Sequence, residues 1–291
     1  MHSREWVYIV ELVLYIPAAV ASLLICRKHG FGRSSGWVFT FILCLVRTTG
    51  AICQLISYHD SSSSLTKALI IIDSIGLSPL LLATLGMLSR FVDSINAHGK
   101  ANFFTLKHFR LIQLLITLGL ILSIAGGTSG STEPNGSVKV ATTAKVGIAL
   151  YIVAFVALTV VCFASSLHVS NVPIKEGRVP LAVVVALPFI AVRLVYAILT
   201  VTFHDHLFNP VNGDVLVLVV MSVVEEFTVV AIYLLLGFSV DRLSEVERGP
   251  LASRAWKNKN SRGGHGERHS GRNVDEEHAQ ELRLGSGHTR R

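Results

Sequence analysis

Seven stretches of this chain are long and apolar enough to cross a lipid bilayer, and no other feature limits its fold so severely. A spanning helix needs about 20 mostly apolar residues, at 1.5 Å rise each across a hydrocarbon core of about 30 Å. The stretches run Trp6–Cys26, Trp37–Ser57, Thr66–Leu88, Phe109–Ala125, Ala144–Leu167, Pro180–Phe203 and Val215–Phe238. In hydrocarbon the backbone must satisfy its own hydrogen bonds, which leaves helices or closed barrels. Stretches of this length predict an all-α, polytopic membrane protein, a bundle of seven transmembrane helices. Composition agrees: of 291 residues 51% are hydrophobic and 15% charged, where soluble domains carry about 25% charged. An ordinary soluble enzyme, a disordered chain, a collagen and a disulfide-dense secreted domain are all excluded.

The charge is concentrated at one end. Residues 239–291 hold 11 Lys/Arg and 8 Asp/Glu, with no apolar period. Such a segment buries too little surface to offset chain entropy, so it is predicted to be a disordered tail behind a helical domain of residues 1–238. Its basic run, Arg242, Arg248, Arg254, Lys257, Lys259 and Arg262 around Trp256, reads equally well as attraction to anionic lipids or as a positive-inside flank. Nucleic acid is not an expected partner.

Orientation follows from Lys and Arg in the short loops. Arg27, Lys28, Arg33, Arg90, Lys100, Lys107, Lys175 and Arg178 fall on one side, and Arg4, Lys67, Lys139 and Lys145 on the other. The amino terminus is predicted outside or in a lumen and the carboxyl terminus in the cytosol. Asn135-Gly136-Ser137 is an N-glycosylation sequon in a loop that this topology places outside. Ala19-Val20-Ala21 resembles a signal-peptide cleavage site, but Glu11 interrupts the apolar run and that run continues to Cys26, so a retained first span is favoured. Cys26, Cys44, Cys53 and Cys162 lie within or at the ends of spans and are expected as buried thiols.

Six ionisable residues fall inside spans: Glu11, Arg47, Asp73, Arg193, Glu225 and Glu226. A charge at the bilayer centre costs at least about 2.5–3.5 kcal/mol, so these groups should face the bundle interior and find partners. Counting rise per residue puts Arg47 and Glu225 roughly 15 Å deep, and Arg193, Asp73 and Glu11 roughly 20 Å above the cytosolic face. Two layers are expected: Arg47 with Glu225 or Glu226, and Arg193 with Asp73 or Glu11, with long arginines able to cross between them. Glu225 and Glu226 project about 100° apart, so one of them should share a given pocket. Pro17, Pro79 and Pro188 interrupt spans 1, 3 and 6 and are expected to kink them. A buried arginine followed by a span with a buried acid occurs twice (Arg47, Asp73; Arg193, Glu225), a weak sign of two repeated halves.

Motifs with known chemistry are missing. The last span has no lysine for a retinal Schiff base, and neither a GxSxG elbow nor a phosphate-binding glycine loop occurs. His204-Asp205-His206 beside His59-Asp60 reads as solvated loop residues rather than a metal site. The third span ends Leu88-Ser89-Arg90-Phe91 and the last has no Asn-Pro-x-x-Tyr, so the G-protein receptor signatures are absent. No catalytic residue, cofactor or metal is expected.

Several segments occur together in a familiar order: His29-Gly30-Phe31-Gly32-Arg33 with Ser35-Gly36-Trp37, then Arg47, then Gly76-Leu77-Ser78-Pro79-Leu80 through Leu88-Ser89-Arg90 and Asp93-Ser94-Ile95-Asn96. Leu187-Pro188-Phe189, Val192-Arg193-Leu194-Val195-Tyr196 and Glu225-Glu226 follow. Over roughly residues 5–240 the chain resembles a family of fungal integral membrane proteins catalogued as a domain of unknown function. The resemblance implies seven helices and a filamentous-fungal source, and carries no activity. Three readings are kept, in this order: transport or translocation of a lipid or small amphiphile through a polar cavity built from Arg47, Asp73, Arg193 and Glu225; a receptor that binds a ligand there; and a structural membrane protein with a locked ionic core. An enzyme is the least favoured. The location is a membrane, plasma or internal.

Overall fold

The computed structural model describes residues 3–29, 36–57, 63–98, 106–129, 131–132, 138–139, 142–167, 178–202 and 219–240. Among them are seven helices long and apolar enough to cross a membrane: α1 (Ser3–His29), α2 (Trp37–Ser57), α3 (Ser63–His98), α4 (Leu106–Ser129), α5 (Thr142–Ser166), α6 (Arg178–Thr202) and α7 (Val219–Ser239). The first part of α7, Val219–Val224, is π-helical and the rest, Glu225–Ser239, is α-helical. A two-residue antiparallel ladder, β1 (Ser131–Thr132) with β2 (Val138–Lys139), lies between α4 and α5 in the chain. Asn135, the His59-Asp60 and His204-Asp205-His206 groups and residues 241–291 lie outside the described residues.

Successive helices pack on one another, and α7 returns to touch α1, α2 and α6. Helix α3 contacts α2, α4, α5 and α6. It is the central helix: 71% of its spanning window is buried, against 39% or less for every other span. Its position corrects the boundary read from hydropathy. Helix α3 does not stop at Leu88 but runs to His98, and Ser89, Arg90, Asp93 and Ser94 are buried in it rather than forming a loop. Polar side chains on a helix surrounded by protein meet protein instead of lipid, and a hydropathy window cannot see that difference. At 36 residues α3 is roughly 54 Å long, well beyond a hydrocarbon core.

The outward faces carry the apolar surface. On α4 these are Leu111, Leu114, Leu118 and Ile121, and on α5 Val146, Val153, Val156, Val160 and Phe163, all exposed and at helical spacing. Contiguous apolar surface on this scale is not carried by soluble monomers. The opposite face of α4 presents Ile112, Ile116, Gly119, Ser123 and Gly126 to the interior.

That face sets the closest helix contact. A Cβ on Gly126 would lie 2.5 Å from Ala144 N, one on Gly147 2.6 Å from Ser123 Oγ, and one on Gly119 2.8 Å from Tyr151 Cε1. Helices α4 and α5 thus approach nearly backbone to backbone through small residues three or four apart, the packing that replaces hydrophobic drive in lipid.

Helix α1 is built into the bundle. Tyr15, Ile25 and Cys26 are fully buried, and its last turn holds the end of α7. His29 Nε2 donates to Gly237 O at 2.9 Å. Lys28 Nζ donates to Phe238 O and Val240 O at 3.3 and 3.4 Å, occupying carbonyls that a helix end leaves without an intrahelical donor. Helices α1, α3 and α6 each continue through their proline. Cys26, Cys44 and Cys162 are buried and Cys53 half-buried, all as free thiols.

Candidate functional site

The charged residues inside the spans meet where α1, α2, α3, α6 and α7 converge. Glu226 on α7 is the hub. Its Oε2 accepts a short hydrogen bond from Arg47 Nε of α2, and its Oε1 accepts from Arg193 Nε of α6 at 2.7 Å. One carboxylate therefore bridges two guanidiniums from two other helices. Arg193 Nη2 also donates to Asp73 on α3, at 3.2 Å to Oδ1 and 3.3 Å to the backbone O. Arg47 Nη1 lies 3.8 Å from both Glu11 Oε1 and Asp73 Oδ1, and its Nη2 donates to Ser222 Oγ at 3.2 Å.

This is one joined cluster, and it corrects the expected separation into two layers. Glu11 pairs with Arg47 rather than Arg193, and Glu226 joins both arginines. Side-chain length explains the merger, because a guanidinium on a flexible stem spans the one-turn difference in depth between the two arginines. The cluster leaves out Glu225. The half-buried Glu225 side chain makes no ion pair among the described residues, and its Oε2 is buried without a hydrogen-bond partner. Adjacent residues on a helix project about 100° apart, and only Glu226 points at the arginines.

Charge and exposure divide the cluster. Two guanidiniums face three carboxyls, so the fully ionised set carries one net negative charge. Glu226 is 0% exposed, Arg193 2%, Glu11 4% and Arg47 11%. Asp73, at 29%, is the carboxyl that reaches the surface. In a low-dielectric interior unpaired charges are costly, and the multiple hydrogen bonds on each arginine offset their desolvation.

Several residues around the cluster had no role in the sequence reading. Tyr15 follows Glu11 by one turn on the same face of α1, is fully buried, and packs edge-on against Phe227 at 5.7 Å. Ser222 precedes Glu226 by one turn, so the pair presents an acceptor and an anion on one face of α7 to Arg47. Tyr196 lies one turn after Arg193, whose Cζ sits 5.4 Å from the ring centroid, within cation–π range. Gly76 lies one turn after Asp73, and a Cβ there would stand 3.4 Å from Glu226 Oε1 and 3.6 Å from Arg47 Nη2. A spacing of three or four from each intramembrane charge is the signal that finds all four.

Seven apolar helices around a buried ionic hub define the class: a helical bundle with the dimensions and polarity of a multi-pass membrane protein. Residues 1–243 match the family model described as a domain of unknown function, DUF7702. The chain belongs to that family. Comparison with curated proteins and with solved structures finds no match.

Proposed function

We propose that the protein is a multi-pass membrane protein that binds and translocates a lipid or small amphiphile with an anionic head group, using Arg47 and Arg193 as the binding pair. One observation carries this reading. Both guanidiniums reach the same atom, Asp73 Oδ1, at 3.8 and 3.2 Å, and Asp73 is the exposed edge of the cluster. An anionic head group that exchanges with the Asp73 carboxylate finds two guanidiniums already converged, with Glu226 holding both from behind. The exchange conserves charge when a monoanion enters and Asp73 takes up a proton. The loop charge bias supports an outward amino terminus and a cytosolic carboxyl terminus. The basic run between Arg242 and Arg262 supports attraction to anionic lipids on that side.

A second reading is favoured by the complete enclosure of Glu226, with both of its oxygens engaged. In it the cluster is a lock that fixes helix register and takes no ligand. Native mass spectrometry separates the two. The full chain is purified gently from its own membranes beside an Arg193→Gln variant that still elutes as a folded species. The expected result is a stoichiometric bound molecule with an acidic head group, lost in the variant. Wild type without any bound molecule, and a variant that is only less stable, would overturn transport in favour of the lock.

A further inference from the structure

On the side of α3 away from the charged cluster, three hydroxyls converge. Ser78 of α3, Ser123 of α4 and Tyr151 of α5 are each at most 3% exposed. The Tyr151 hydroxyl faces both serines, yet none of the three oxygens has a hydrogen-bond partner. Ser78 lies two residues beyond Gly76, about 200° around the helix, so α3 presents the ionic cluster on one face and the hydroxyls on the other. The seam between α4 and α5 fixes two members of the trio. Ser123 Oγ rests against Gly147, and Tyr151 follows Gly147 by one turn on the same face of α5.

Each hydroxyl is both a donor and an acceptor. Buried polar side-chain atoms in folded proteins are paired with protein or with ordered water in the large majority of cases. Three hydroxyls that face one another without direct bonds present the environment of a bridging water, which makes about three hydrogen bonds at a buried site. A metal cation is a poorer occupant. The trio offers three neutral oxygens and no carboxylate, where hard cations take six or more oxygens.

We infer that Ser78, Ser123 and Tyr151 form a binding site for one ordered water molecule, which ties the central helix to the α4–α5 seam. The water donates to two of the hydroxyls and accepts from the third, so every oxygen in the trio is satisfied. The site lies one residue before Pro79, whose missing N–H already leaves a carbonyl of α3 without its helical donor.

The direct test is an experimental structure of the full chain at a resolution that shows waters. The expected result is a single peak about 2.7–3.2 Å from all three hydroxyl oxygens. Tyr151→Phe, Ser123→Ala and the double variant are then compared by thermal unfolding in detergent. Residues that share one water are coupled, so the double variant should lower Tm by clearly less than the sum of the two single shifts. Direct hydroxyl–hydroxyl bonds, an unoccupied centre, a peak held by five or more oxygens, or additive Tm shifts would each overturn the inference. The wild-type map decides the matter even where a variant fails to fold.

Discussion

The ionic cluster and the α4–α5 seam hold helices together by opposite means. The cluster works through side chains that are present: Arg47, Arg193, Glu226, Asp73 and Glu11 join five helices through charge. The seam works through side chains that are missing: Gly119, Gly126 and Gly147 let two backbones meet. Both answer the same difficulty, that lipid tails are as apolar as leucine and give helices no hydrophobic reason to associate. The cluster should therefore break when atoms are removed, and the seam when atoms are added.

The largest expected effect is on the cluster. Glu226→Ala leaves two guanidiniums without their shared carboxylate, and removing one partner from a buried pair costs about 3–5 kcal/mol. Its neighbour is the control. Glu225 makes no ion pair among the described residues, so Glu225→Ala should cost less than about 1 kcal/mol, in the range of a substitution away from any network. Reversible unfolding of the two variants side by side measures the difference. Equal losses would show that the cluster does not carry the load that its geometry implies.

Next comes the seam. In Gly126→Ala the added methyl meets Ala144 N and Cα, at 2.5 and 2.8 Å. Backbone atoms cannot swing aside as a flexible side chain can, so α4 and α5 must separate. Overpacking of this kind costs about 1–3 kcal/mol. Leu118→Ala, on the outward face of the same helix, should change stability far less because both the residue and its replacement face apolar surroundings. The same unfolding assay reads both. A Gly126→Ala variant as stable as wild type would mean that the two helices are not in backbone contact.

The two regions also differ in how much of them can be read from sequence. Charge inside an apolar span is conspicuous, and depth arithmetic places Arg47 level with Glu226 and Arg193 level with Asp73. Distances of 2.7 Å from Arg193 to Glu226 and 3.2 Å to Asp73 show what the arithmetic omits: one carboxylate sits between both arginines. Rise per residue gives height and says nothing of which helix stands next to which. The exclusion of Glu225 is likewise a matter of rotation about α7. The seam is harder to see. Glycine is frequent in membrane helices, and the spacing of Gly119, Ser123 and Gly126 gains meaning only once Ala144, Gly147 and Tyr151 stand opposite. The inner half of α3 was misread for a related reason. Ser89, Arg90, Asp93 and Ser94 look like a loop until α3 is known to be the central helix.

Gly76 is where the two modes of packing can be told apart most finely. It is a glycine, like those of the seam, but it borders the cluster. A Cβ there would stand 3.4 Å from Glu226 Oε1, 3.6 Å from Arg47 Nη2 and 3.7 Å from Arg47 Nε, all ordinary contact distances. Alanine also favours a helix over glycine by about 1 kcal/mol. Gly76→Ala should therefore change stability by less than about 1 kcal/mol in either direction, although it touches the most buried charges in the protein. Gly76→Leu should destabilise strongly, since its further carbons extend into the space that Glu226 and Arg47 occupy. If Gly76→Ala instead costs as much as Gly126→Ala, the cluster is packed as tightly as the seam. An entering head group would then find no slack beside the arginines, and the lock reading would gain over translocation.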